Sequence, residues 1–227
     1  MNWYRIRISL FLAALSLAAS VGFAETFEGQ LQLSFSTPTL KNEATGYMKG
    51  LSFKILPKAT AKMEGVEGYP VIDFASGKFM LISPKDRYYL TLPLAQLQGP
   101  IDKVSIKMRK SGRTDTILGH AAEEFVVDDP VKKLSIAVWA TKDLQTGINF
   151  FLSLQKIAPN EGVILGRMAK ELIAQGYFPL GATAKDAKGL VTLQMAVVGI
   201  SPGRVDDREF AIPEGYGKMS DVLKKKK

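Results

Sequence analysis

The chain lacks cysteine altogether and has one histidine, His120, among its 227 residues. Without thiols there are no disulfides, no thiolate zinc sites and no cysteine nucleophile, and lipid attachment through an N-terminal cysteine is excluded. With one imidazole, any centre that needs two is excluded as well. Walker, Gly-x-Gly-x-x-Gly and Gly-x-Ser-x-Gly patterns are missing. The positive surplus is smaller than it looks: of the net +8, two charges belong to Arg5 and Arg7 and four to Lys224 to Lys227. The body between carries about +2, too weak a field to attract nucleic acid.

What is present begins with a leader. Arg5 and Arg7 precede an uncharged apolar run from Ile8 to Phe23, and Gly22 and Ala24 place small residues three and one before a cut. This is the pattern of a secretory signal peptide over residues 1–24. The expected location is therefore periplasmic or secreted, with no membrane span left after cleavage. No Pro/Gly/Ser linker divides the rest, so one domain is expected over residues 25–220, followed by a basic flexible tail over 221–227.

Phe27, Gly29, Leu31, Leu33 and Phe35 alternate with Glu28, Gln30, Gln32, Ser34 and Ser36, the period of a strand with one wet face. The pattern returns at Leu51, Phe53 and Ile55, at Ala59, Ala61 and Met63, and at Val104, Ile106 and Met108. Such alternation predicts an antiparallel sheet. Turn residues at Ala75 to Lys78 and at Ser83 to Asp86 set VIDF, FMLI and RYYLTL into hairpins. A meander is expected from about Phe27 to Val127, with further strands at Leu134 to Thr141, Tyr177 to Thr183 and Leu190 to Val198.

One helix is predicted between Asn160 and Gly176. Asn160 suits the N-cap, Glu161 the first turn and Gly176 the left-handed C′ position. Ile164, Leu165, Met168, Leu172 and Ile173 form its apolar stripe. A second helical segment over Gly147 to Ile157, with Ile148, Phe151 and Leu152 inward, has a strand alternative. The expected fold class is α+β, mainly β: a curled antiparallel half-barrel of about ten or eleven strands, its concave face covered by a helical insertion.

Several short segments carry a family resemblance. Val71-Ile72-Asp73-Phe74, Ile117-Leu118-Gly119-His120 with Glu123-Glu124-Phe125, Val138 to Asp143, Gly176-Tyr177-Phe178-Pro179-Leu180, and Phe210 with Pro213-Glu214-Gly215-Tyr216 resemble the ordered landmarks of domain of unknown function 4412, an uncharacterised bacterial family. Its members are similar in fold to the periplasmic lipoprotein carriers. That resemblance implies a half-barrel capped by helices with an apolar cavity for acyl chains. This chain has His120-Ala121-Ala122 where members often carry an aromatic residue followed by lysine and cysteine. The family brings no catalytic residues.

Catalytic candidates are few. His120 and Glu124 share a strand face but lie about 13 Å apart along it, too far to act on one ligand. Asp128-Asp129 and Asp206-Asp207 sit in turn-like surroundings and read as solvated turn formers. Neither a catalytic residue, nor a metal, nor a cofactor is expected, and the protein is read as a non-enzyme. Lys103, Lys107 and Arg109 fall on the polar face of one predicted strand, with Lys110 and Arg113 after it, and could meet a phosphate or carboxylate headgroup. The apolar candidates are Phe35, Leu51, Phe53, Ile55, Phe151, Ile164, Met168 and Leu172, which would line a cavity if the sheet curves away beneath the helix. The expected function is an extracytoplasmic carrier or binding protein for a lipid, an acyl chain or a lipid-modified partner. The alternative is an envelope structural or protein-interaction module with a self-filled core. In both readings the chain is a monomer that takes no nucleic acid.

Overall fold

A computed structural model describes residues 27–58, 68–129, 133–144, 148–152 and 159–219. The expected leader, the expected strand from Ala59 to Glu64 and the lysine tail lie outside them. The described strands are β1 (Gly29–Thr37), β2 (Leu40–Lys49), β3 (Ser52–Pro57), β4 (Tyr69–Asp73), β5 (Lys78–Ser83), β6 (Tyr88–Pro93), β7 (Arg109–Ile117), β8 (His120–Asp129), β9 (Leu134–Thr141), β10 (Phe178–Lys185), β11 (Val191–Pro202) and β12 (Gly217–Lys218). Helix α1 (Ala95–Asp102) follows β6, and α2 (Pro159–Ala174) follows β9.

All twelve strands form one open, curled sheet in the order β12-β6-β5-β4-β3-β2-β1-β11-β10-β9-β8-β7. Every pairing is antiparallel except that of β12 with β6. The alternation of β1 becomes alternating burial: Leu31 and Leu33 are enclosed while Gln30 is exposed. A register shift between Gln32 and Leu33 adapts β1 to β11, its partner from the far end of the chain.

The sheet corrects the sequence reading in three ways. Twelve strands are described, not ten or eleven. The meander does not run through to Val127: β1–β6 is one meander and β7–β11 another, joined where β1 lies beside β11. The chain therefore crosses from one edge of the antiparallel run to the other between β6 and β7, through α1. The helical covering also differs, since α1 shares it with α2. The sequence of α1, AQLQGPID, hid it, because Gly99 and Pro100 read as breakers and Leu94 supplies no side-chain cap bond. Pro100 is tolerated in a helix this short.

Val104 to Met108 is not a strand. Its alternation is nevertheless real, since Val104, Ile106 and Met108 pack against the core while Ser105 and Lys107 are exposed. Of the predicted segment over Gly147 to Ile157, only residues 148–152 are described. They have 3₁₀ backbone at 150–152 and bury Ile148, Phe150, Phe151 and Leu152.

Helix α2 packs on β9 and β10 and meets α1. Gly166 allows that meeting: a Cβ there would stand 2.4 Å from the Ile101 Cδ1 atom. The helix ends in a Schellman motif. Gly176, at φ +78°, donates to the Ile173 carbonyl, and the Tyr177 N–H donates to the Leu172 carbonyl at 2.9 Å. Among the described residues no helix is long and apolar enough to cross a membrane.

Candidate functional site

The apolar candidates meet in the space between the sheet and α2, but that space is filled. Phe53, Phe151, Ile164, Met168 and Leu172 are completely buried. Phe150, which the sequence reading passed over, stands at their centre. Its ring centroid is 5.9 Å from Phe53, 4.7 Å from Phe151 and 5.8 Å from Phe178. Phe35 and Ile55 pack at the margin of this core. Leu51 does not belong to it. It lies in the β2–β3 turn, before β3 begins at Ser52, and is 44% exposed.

The neighbouring Asn149 buries its amide. Its Nδ2 donates to the Gly166 carbonyl at 2.7 Å, whereas Oδ1 has no hydrogen-bond partner among the described residues. Beside it a cleft of about 140 Å³ runs between α1 and α2, walled by Phe74, Ile101, Leu152 and Ile173, with the Asp102–Lys170 ion pair at 2.6 Å.

The basic headgroup candidates do not share a strand. Lys103 closes α1, Lys107 sits in the irregular stretch after it, and Arg109 opens β7, where it pairs with Asp128 at 3.1 Å. The acidic doublets are also engaged. Asp128 accepts from the Ser135 hydroxyl, Asp206 from Arg208, and Asp207 pairs with Lys49 at 2.6 Å.

A larger opening lies where β7, β8 and β9 meet the start of β10. It is a cleft of about 620 Å³ lined from four elements. Register places Thr116 opposite Ala121, Thr114 opposite Glu123, and Glu123 opposite Ala140, so a floor of small side chains shares one face of the sheet. Tyr177, delivered by the Schellman turn, forms a wall. Its ring stands edge-on to Phe125 with centroids 4.9 Å apart. Its hydroxyl donates to Glu123 Oε1 at 2.8 Å and accepts from Lys110 Nζ at 3.1 Å.

Lys110 and Glu123 form an ion pair. Hydrogen bonds from Lys110 and then Tyr177 hold the Glu123 carboxyl below its ordinary value, and hydrogen bonds to Glu123 and then Tyr177 raise the Lys110 ammonium. Lys142 Nζ lies 4.7 Å from the Tyr177 ring centroid, a cation–π contact. Asp143 accepts from the Ala121 N–H at 3.0 Å and faces His120 Nδ1 at 3.6 Å. The histidine thus meets Asp143 across strands, while Glu124 goes to Arg113 at 3.0 Å.

Three of the segments that carried the family resemblance converge here. Glu123 comes from the first, Ala140, Lys142 and Asp143 from the second, and Tyr177 from the third, with Ala121 and Ala122, where this chain departs from the family, beside them. The convergence is a product of the fold, and no spacing within any one segment announces it.

The chain belongs to the family described as domain of unknown function (DUF4412), whose model matches residues 27–216. No curated protein matches it. Among solved structures, an uncharacterized conserved protein from Thermus thermophilus is similar at 12% identity, with a TM-score of 0.54, over 91% of this chain and 98% of that one. At that identity the match shows a shared fold. The Pseudomonas aeruginosa MucA/MucB complex aligns at a TM-score of 0.48 and 12% identity, over 81% of this chain and 55% of that one. PNGF-II aligns at 0.49 and 12%, over 85% of this chain and 30% of that one.

Proposed function

We propose that this chain is an exported, non-enzymatic binding protein whose ligand is an amphiphile: a lipid, an acyl chain or a lipid-modified partner. The observation that carries this reading is how the interior is closed. A wedge of Ile148, Phe150, Phe151 and Leu152 fills it, with 3₁₀ backbone at 150–152, and with Asn149 Oδ1 buried beside it and unpartnered among the described residues. Such a plug is exchangeable. Withdrawing its four side chains costs about 1.5–3 kcal/mol each, or ~6–12 kcal/mol together, and a fourteen-carbon chain buried in their place gains ~11 kcal/mol at about 0.8 kcal/mol per CH₂. The two terms nearly cancel, as reversible carriage requires. The cleft beside Tyr177 is the natural mouth, because the adjoining Phe178 touches the wedge through Phe150.

Delipidated protein should take up a fluorescent fatty acid with saturable affinity. Phe150→Ala should cost about 3–5 kcal/mol of stability, read by denaturant unfolding, and increase uptake, because it enlarges the exchangeable space; Phe53→Asp should abolish uptake. Absence of saturable binding to fatty acids, phospholipids and a lipopeptide alike would sink the proposal. The self-filled core favours a second reading, a protein-interaction module with no small-molecule ligand. Mass spectrometry of organic extracts from gently purified protein separates the two, since the second predicts no bound lipid.

A further inference from the structure

Strand β7 is the outermost strand of the sheet, paired with β8 on one side and with no described strand on the other. Its hairpin with β8 turns through Leu118 and Gly119, with φ of +53° and +83°. Two positive φ values mark the type I′ turn, which favours Asn-Gly and suits a bulky side chain badly. Leu118 is also 44% exposed, so an apolar side chain occupies a strained turn position without burial to compensate.

The turn sets the ladder. Ile117 and His120 are the closing pair, so Thr116 with Ala121 and Thr114 with Glu123 are the non-hydrogen-bonded pairs, whose own N–H groups point away from β8. The Thr116 N–H accordingly donates to the Asp115 side chain at 2.7 Å and not to the ladder. The outer edge of β7 thus holds strand positions without a ladder partner among the described residues, one lightly capped by a neighbouring carboxylate.

Chemistry beside this edge is directional. The floor at Thr114, Thr116, Ala121 and Ala140 leaves room for side chains from an added strand. Lys142, exposed beside that floor, has a cation–π contact with Tyr177 but no ion pair among the described residues. On β7 the side chains of Arg109, Lys110 and Arg113 are 62%, 54% and 70% exposed although each is paired toward β8.

We infer that the outer edge of β7, with Leu118 at its tip and Lys142 beside it, docks an extended polypeptide segment bearing an acidic side chain. The segment adds as a strand to the Thr114 and Thr116 edge groups, displacing Asp115 from the Thr116 N–H. An apolar side chain of the partner covers Leu118, and a carboxylate reaches Lys142. The docked segment lies at the cleft that forms the mouth of the interior, but its contacts are with the β7 edge, Leu118 and Lys142 and not with the wedge residues.

Selection of a phage-displayed library of random nine-residue peptides on the purified protein tests this. Enriched peptides should alternate β-branched or apolar residues with polar ones and include Asp or Glu. A synthetic copy should perturb the amide resonances of Thr114 and Thr116. Thr116→Pro should abolish binding, and Lys142→Glu should weaken it at least tenfold. Leu118→Asn, which suits the turn better, should weaken binding at least tenfold without lowering the melting temperature, which separates a docking role from a folding one. Lys58→Ala, an exposed change at the end of β3, should leave peptide affinity unchanged. The inference is overturned if no peptide is enriched above the Thr116→Pro background, if the perturbed amides lie away from β7, or if Leu118→Asn binds as well as the parent.

Discussion

At the β6 end of the sheet the chain returns as β12 and lies along the edge, whereas at the β7 end no described strand does so. The returning segment, residues 203–218, also crosses the face opposite the main core. Val205 is buried there and its N–H donates to Glu28 Oε1 at 2.7 Å, while the Gly217 N–H reaches the Arg87 carbonyl at 3.0 Å. Beneath it Lys54 is almost fully enclosed, its Nζ 4.8 Å from the Tyr69 ring centroid, 5.3 Å from that of Tyr47 and 2.7 Å from Glu209. Burial, together with Tyr216 and Glu209, raises the Tyr69 hydroxyl above its ordinary value. At the β7 end the cations are half-exposed, and an apolar residue is held strained in solvent. One end encloses its charged groups under the returning chain, whereas at the other the paired cations stay half-exposed and Lys142 has no ion pair among the described residues.

The most severe test of this contrast is to undo the strapped end. Glu209→Ala should cost about 2–3 kcal/mol, because it leaves the enclosed Lys54 ammonium without its carboxylate, with Glu209 itself partly solvated. Denaturant unfolding checks the value, and Lys54→Met added to Glu209→Ala should recover most of it. If the single change is neutral, the strap is not what finishes that end. At the open end the opposite sign is expected: Leu118→Asn should stabilise by about 1 kcal/mol by relieving a left-handed bulky residue, read as a raised melting temperature. A loss of stability there would mean that Leu118 contributes packing to the free protein.

The smallest effect concerns acid. The folded-state value of Glu123 is lowered by Lys110 and then Tyr177, so the stability from this pair is fully present above the ordinary value of 4.5 and fades as pH falls through the lower folded value. The pair is largely solvated, so screening by water keeps the gain small. The melting-temperature difference between the parent and Glu123→Gln should therefore shrink between pH 7 and pH 3. A difference that stays constant would locate the effect elsewhere.

Much of this architecture was legible because it is local. Period-two alternation locates β1 and β3, the Ala75 to Lys78 turn locates a hairpin, and Gly176 marks the end of α2. What escaped depends on separation along the chain. Alternation says that Lys54 faces away from Phe53, but not that Glu209, 155 positions later, will cover it. Spacing along one strand compares His120 with Glu124, whereas its neighbour Asp143 stands across the ladder. The cleft joins Thr114, Glu123, Lys142 and Tyr177 from four elements. A polar-looking helix containing Pro100 hid the crossing that made two meanders out of one. The closest thing to a local signal was Leu-Gly at a position where a tight hairpin favours Asn-Gly.

The crossing between β6 and β7 also governs how the molecule can be assembled. Each meander pairs neighbours in sequence and can form early, but the seam of β1 on β11 joins Leu31 to Ile200 and must wait for both. Until that seam forms, each half presents a bare strand edge, the condition under which chains pair with the wrong partner. The middle of the finished sheet is therefore its last part to close, and a nascent chain is exposed to mispairing until β11 has emerged.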